Sequence, residues 1–289
     1  MKPALYETPS GIVGDLGELQ SIPYFLTPNA PDDVIDITSP GRVVGPLAMS
    51  APKDGPLLVR AIHSNSLEYD AFAEFEIQDG SETRKLCNAP IYLRTILGEY
   101  ALPYYLPQYA FLPENGVLYI NIQGISAFET PLRLNFECVK LLRKQLDKTG
   151  RLAMDRIKRR SVLSIPYFAT FQNGYLSLDA SGTGEAQIQV ADEGSFLARK
   201  ITYHSTGAFK LNILNQSTKK SLIIAPQETS YELPAADIIG TSGQPLDLVE
   251  PWHISAGQKL LITATDLSGS ANTVYLTVCG EFIRTGDMR

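Results

Sequence analysis

The chain has 289 residues, with 25 Lys and Arg against 31 Asp and Glu; 44% of it is hydrophobic and 19% charged. Such a chain can bury real cores, which removes the disordered and fibrous classes, and its length accommodates two domains of ordinary size. A net charge of −6 argues against nucleic acid as the main partner, no apolar run approaches the ~18–20 residues that cross a bilayer, and the first residues lack a leader pattern, so a soluble chain without a membrane partner is expected.

Residues 1–19 carry Pro3, Pro9 and several glycines without periodicity and read as an extended N-terminal arm. Ser21-Ile22-Pro23-Tyr24-Phe25 then opens a pattern that returns as Ser164-Ile165-Pro166-Tyr167-Phe168, 143 residues later. Arg60-Ala61-Ile62-His63-Ser64 is echoed by Ile201-Thr202-Tyr203-His204-Ser205 at an offset of 141. Ile96-Leu97-Gly98 matches Ile238-Ile239-Gly240, Pro103 matches Pro245, and Leu132, Leu134 and Phe136 match Val274, Leu276 and Val278, all at 142. Ordered matches at near-constant spacing mark a tandem duplication, with domains at 20–140 and 161–289.

Both domains read as β structure. Leu132, Leu134, Phe136 and Cys138 alternate with Arg133, Asn135 and Glu137, the period that turns one face of a strand to a core. Val117 to Ile122 is a β-branched and aromatic run between Glu114-Asn115-Gly116 and Gln123-Gly124. In the second domain Ala186, Ile188 and Val190, then Phe209, Leu211 and Ile213, alternate with polar residues. The expectation is an all-β chain of two tandem antiparallel β-sandwich domains.

Between them, residues 141–160 form a basic linker. From Lys140 to Arg160 nine Lys/Arg face two Asp, a local charge of +7. Leu142, Leu146, Ala153, Met154 and Ile157 have helical spacing broken by Thr149-Gly150, which predicts two short helical pieces. The segment is either a solvated linker or a basic strap on an acidic neighbour, with Arg143, Lys144, Arg156, Lys158, Arg159 and Arg160 as the candidate contacts; it is the one place where nucleic acid could be met.

Catalytic chemistry finds few footholds. Cys87, Cys138 and Cys279 are scattered and read as reduced, buried thiols. His63-Ser64 and His204-Ser205 are sequence neighbours, which point to opposite faces of a strand and cannot act as a dyad. Asp32, Asp33 and Asp36 lack the spacing of a calcium loop, and Gly182-Thr183-Gly184 precedes a strand, so it is no phosphate cradle. The expectation is a non-enzymatic protein with no cofactor and no metal. The aromatic residues are more informative: Tyr100, Tyr104, Tyr105, Tyr109 and Phe111 lie in a stretch punctuated by Pro103, Pro107 and Pro113, and their second-domain counterpart carries Pro245, Pro251, Trp252 and His253. Aromatics in stiff loops suit subunit contact, internal packing or sugar stacking; Tyr100, Tyr104, Tyr105, Tyr109, Phe111, Trp252 and His253 are the candidate interface.

The second domain also resembles a known family. Phe196 to Tyr203, Leu211 to Leu222, Ile239-Gly240, Pro245, Pro251 and the closing hairpin Ile254 to Gly280, with its Ser255-Ala256-Gly257 and Asp266-Leu267-Ser268-Gly269 turns, resemble jelly-roll-like virion structural proteins of tailed bacteriophages. Domain one carries the likeness more faintly, with Pro113-Glu114-Asn115-Gly116 and Gln123 to Ser126 in place of the two turns. The resemblance implies jelly-roll-like domains and a capsid decoration or minor capsid role in the virion, assembled in the host cytoplasm. The implied partners are capsid or other virion proteins and further copies of the chain, as a homo-oligomer such as a trimer. A double jelly-roll major capsid subunit of a tailless virus and a tail-associated, receptor-binding protein are the alternatives.

Overall fold

The computed structural model describes residues 21–28, 34–142, 148–222 and 232–284. The N-terminal arm and linker residues 143–147, with Arg143 and Lys144, lie outside the described residues.

Among the described residues the first half holds ten strands: β1 (Ser21–Leu26), β2 (Val43–Ser50), β3 (Leu57–Ser64), β4 (Ala71–Asp79), β5 (Glu82–Lys85), β6 (Ile91–Tyr92), β7 (Gly98–Glu99), β8 (Tyr104–Leu112), β9 (Val117–Gly124) and β10 (Leu134–Leu141). One sheet runs β1-β10-β3 with β8 on the far side of β3; the other runs β2-β9-β4-β5. After helix α1 (Lys148–Leu163) the second half adds β11 (Ser164–Thr170), β12 (Leu176–Leu178), β13 (Thr183–Gln189), β14 (Gly194–Ser205), β15 (Phe209–Asn215), β16 (Lys220–Ser221), β17 (Leu233–Pro234), the short helix α2 (Ala235–Ile238), β18 (Leu246–Ile254), β19 (Lys259–Asp266) and β20 (Asn272–Arg284). Its sheets run β11-β20-β14-β18 and β13-β19-β15-β16. Strand for strand this is the order of the first half. Each half is a double-sheet, eight-stranded jelly roll with small added strands, as the sequence and its resemblance predict.

The pairing register tests the repeat residue by residue. Leu26 faces Phe136 and Ala169 faces Val278, which sets β1 against β11 at 143 and β10 against β20 at 142. Ile62 faces Tyr104 while Ile201 faces Leu246, so β8 and β18 also match at 142. The histidine echo does not hold. His63 pairs in parallel with Gly98, but Gly240 pairs with Thr202, so the position of His63 is taken by Thr202 and the true offset of β3 to β14 is 139. The first half carries four more residues between β1 and β3, part of them in a bulge between Val44 and Leu47. A bulge skips Arg60 in β3 and Arg199 in β14, and each arginine turns to a glutamate on the next strand: Arg60 pairs with Glu137, and Arg199 Nε donates to Glu281 Oε1 at 2.7 Å. Gly98 and Gly240 are also twins. A Cβ on Gly98 would strike the backbone of Leu102 and Tyr104, and one on Gly240 that of Gln244 and Leu246, so the turn into β8 or β18 admits only glycine.

The break predicted at Thr149-Gly150 is absent, since α1 runs through it, while the first predicted piece falls largely on residues 143–147, outside the described residues. Gly150 sits near the start of α1, where the turn is already propagated by the residues that follow, and the helix is held by packing: Ala153, Met154 and Ile157 cover Leu58, Tyr109 and Leu141 on the outer face of the β1-β10-β3-β8 sheet. Arg156, Lys158 and Arg159 face outward and are exposed.

Candidate interaction surfaces

The two halves are joined by far more than the linker. Phe168 of β11 packs against Phe75 with ring centroids 6.0 Å apart, and Tyr92 stacks on Tyr275 at 3.7 Å. The segment after β5 pairs with β11 as an added strand: Phe168 N–H donates to Leu86 at 2.8 Å and Asn88 N–H donates back to Phe168 at 3.3 Å. The Asn88 amide then closes on Thr170, donating to its carbonyl and accepting from its N–H, both at 2.8 Å. Deeper in, Thr95 and Thr277 share a hydroxyl bond of 2.7 Å, and Thr202 donates to the Thr95 carbonyl at 2.7 Å. Gln108 of β8 donates to the Ser164 carbonyl at 2.9 Å. The hydroxyls of Thr95, Thr202 and Thr277 are thus all matched, which is what allows threonines to sit inside the seam. The apolar cores of both jelly rolls run into one another.

This seam accounts for part of the aromatic set. Tyr104 is buried at the joint beside Cys279, with Lys200 Nζ 5.9 Å above its ring, and its environment drives the phenol well above the usual range, chiefly by desolvation. Tyr109 is buried under α1, and Phe111 is half-buried beside it. Tyr104 and Tyr109 are therefore internal packing residues rather than surface open to a partner. Trp252 is half-buried against the core, while His253 is exposed. Tyr105 borders on exposed, and Tyr100, 80% exposed, stands on the surface beside His63, whose ring centroid is 5.8 Å away. Phe25 lies on the other side of His63 at 6.1 Å, so Phe25, His63 and Tyr100 form one aromatic group. Its members come from three strands or turns far apart in sequence, and only the Tyr100 part was legible beforehand.

The remaining chemistry is quiet. All three cysteines are buried and unpaired with one another, and burial pushes Cys87 up to about 11 and Cys138 and Cys279 to about 12, far from a reactive thiolate. Ser64 Oγ donates to the Ser66 carbonyl and Ser205 Oγ to that of Gly207, so neither serine is engaged by its neighbouring histidine. Gly182-Thr183-Gly184 leads into β13. Among the described residues no group of three His, Cys, Asp or Glu converges as a metal site, and no helix is long and apolar enough to cross a membrane. A cleft of about 560 Å³ opens at the seam between Lys85 and Asn88 on one side and Tyr167, Gln189 and Arg284 on the other.

No known family and no curated protein matches the sequence. Among solved structures the chain is similar to PNGF-II, at 10% identity and a TM-score of 0.31 over 92% of this chain and 66% of that one. It is similar to a structure of infectious bursal disease virus, Gt strain, at 8% identity and 0.24 over 93% and 43%, and to the CUB1-EGF-CUB2 region of human MASP-1/3 at 12% and 0.21 over 91% and 99%. The chain spans under two thirds of the first two, and at such scores the likeness carries no argument about function.

Proposed function

We propose that the chain is a non-enzymatic structural protein of a virus particle, acting as a capsid decoration or minor capsid protein of a tailed bacteriophage that bridges neighbouring shell subunits. The observation that carries this reading is the repetition itself: two jelly rolls of one strand order are fused through a shared core. Jelly rolls host shells, lectins and enzymes alike, so the fold by itself is neutral. The closing hairpin agrees with it, since its Asp266 turn is a structural device: the carboxylate accepts from the N–H groups of Ser181, Ser268 and Gly269 at 2.9–3.1 Å. A virion component need only adhere, and repeated weak contacts on a lattice sum through effective concentration.

The same observation supports a second reading, a double jelly-roll major capsid subunit of a tailless virus. The two differ in copy number. Particles purified from cultures that express the gene are analysed by quantitative mass spectrometry and reconstructed: the chain is expected as a minor or decorating component with its own density on the shell. If it dominates the protein of the particle, the second reading replaces the first. Absence from purified particles refutes both.

A further inference from the structure

Strands β1 and β11 have almost one sequence. Residues 21–27 read Ser-Ile-Pro-Tyr-Phe-Leu-Thr and residues 164–170 read Ser-Ile-Pro-Tyr-Phe-Ala-Thr. They occupy the same edge position in the same fold. Their surroundings are opposite. Ile165 and Phe168 are 5% and 1% exposed, Phe168 against Phe75 of the first half; Ile22 and Phe25 are 42% and 52% exposed. The covering surface is duplicated too. In the first half it includes β8, where Leu106, Pro107 and Gln108 are all buried against the second half. The register places Leu248, Val249 and Glu250 of β18 at those positions, and Val249 is fully exposed. Among the described residues the chain thus carries one occupied joint and an exposed copy of part of each of its two sides, at β1 and at β18.

Another twin pair shows that exposure alone does not leave apolar residues in place. Helix α1 covers Tyr109, Phe111 and Val139 on the outer face of the first half. Among the described residues no helix covers the matching face of the second half, and there exposed Pro251 and His253 stand in the places of Tyr109 and Phe111. Where nothing lands, the side chains have become smaller or polar. At Ile22 and Phe25 of β1 and at Leu248 and Val249 of β18 they have stayed apolar, as surfaces that are covered in the assembled state do.

We infer that copies of the chain associate head to tail, the β18 edge of one copy seating on the β1 face of the next and repeating between chains the joint that links the two halves within one. The contact is heterologous, so it generates a closed ring where the rotation between halves divides the circle and a filament where it does not. This inference does not rest on the virion reading, because it concerns the purified chain alone.

The test uses the full chain in dilute and concentrated solution, with mass read by light scattering and analytical ultracentrifugation. Wild type is expected to grow with concentration beyond its 31.7 kDa monomer mass. Phe25→Asp and Val249→Asp should each remain at the monomer mass where wild type associates. Mixed one to one, they should form a dimer and nothing larger, since each supplies the side that the other has lost. Val249 is fully exposed, so its variant folds whatever Phe25→Asp does, and circular dichroism verifies both. A wild type that stays monomeric at several hundred micromolar overturns the inference. So does a mixture that stays monomeric, or loss of association in the Phe25 variant alone, which would mean that another segment or partner covers β1. None of these outcomes bears on whether the chain is found in particles.

Discussion

Phe25 and Phe168 allow the seam to be measured against itself. Both are the fifth residue of the same strand, with the same four residues before them, so local propensity and strand pairing are matched. Phe168 is 1% exposed and its ring meets Phe75 of the other half. Truncation to alanine there removes a fully buried ring and leaves a cavity between two cores, which costs about 3–5 kcal/mol. Phe25 is 52% exposed. Only half of the ~1.5–3 kcal/mol that accompanies full burial is at stake, so Phe25→Ala should cost about 1 kcal/mol in a chain dilute enough to be monomeric. Urea unfolding followed by the fluorescence of Trp252 and by far-UV circular dichroism gives both values. The two probes should report one transition, because the cores are continuous, and the Phe168→Ala midpoint should fall without a change in slope. Equal costs at the two positions, or a Phe168→Ala cost below 1.5 kcal/mol, would refute the description of the seam as a shared core.

Thr277→Val removes one hydroxyl bond to buried Thr95, whose own hydroxyl still donates to the Tyr92 carbonyl, and should cost about 0.5–1.5 kcal/mol, read from the same urea curves. Ile157→Ala should cost about 2–5 kcal/mol and open the basic helix α1 to trypsin, since Ala153, Met154 and Ile157 form the apolar face that packs it on the sheet; unchanged digestion would show that this packing is not what anchors it. Asp266 is held well below the usual carboxylate range by Ser268 Oγ, then by the backbone N–H groups around it. Its stabilisation is therefore complete above the ordinary aspartate pKa and lost as pH falls below it; Asp266→Asn should lower the melting temperature at neutral pH and flatten the acid limb of its pH dependence. His63 and His204 are both pushed down, first by burial. The unfolded chain then binds protons more readily near its ordinary value of about 6.5, so acidification through that value and below destabilises the fold; His63→Phe should reduce that part of the loss in melting scans between pH 7 and 5.

The sequence by itself determined that the chain is β structure, that it is a duplication, and where the closing strands of each copy lie. Those features are written in short-range terms: alternation of apolar residues along β10 and β20, and the twin glycines at 98 and 240 that no other residue can replace. The misaligned histidines show the limit. His63 and His204 look alike as letters, yet bulges and unequal connections move His204 two residues along its strand, and only the pairing register reveals it. The aromatic residues divide for a similar reason. Tyr104 and Tyr109 vanish into the joint and under a helix, while Tyr100 stays in water, and nothing in their neighbouring residues separates the three. Burial is a property of what comes to rest on a side chain from elsewhere in the chain. Ser-Ile-Pro-Tyr-Phe occurs twice, once sealed and once bare, and tertiary structure alone decided which copy is which.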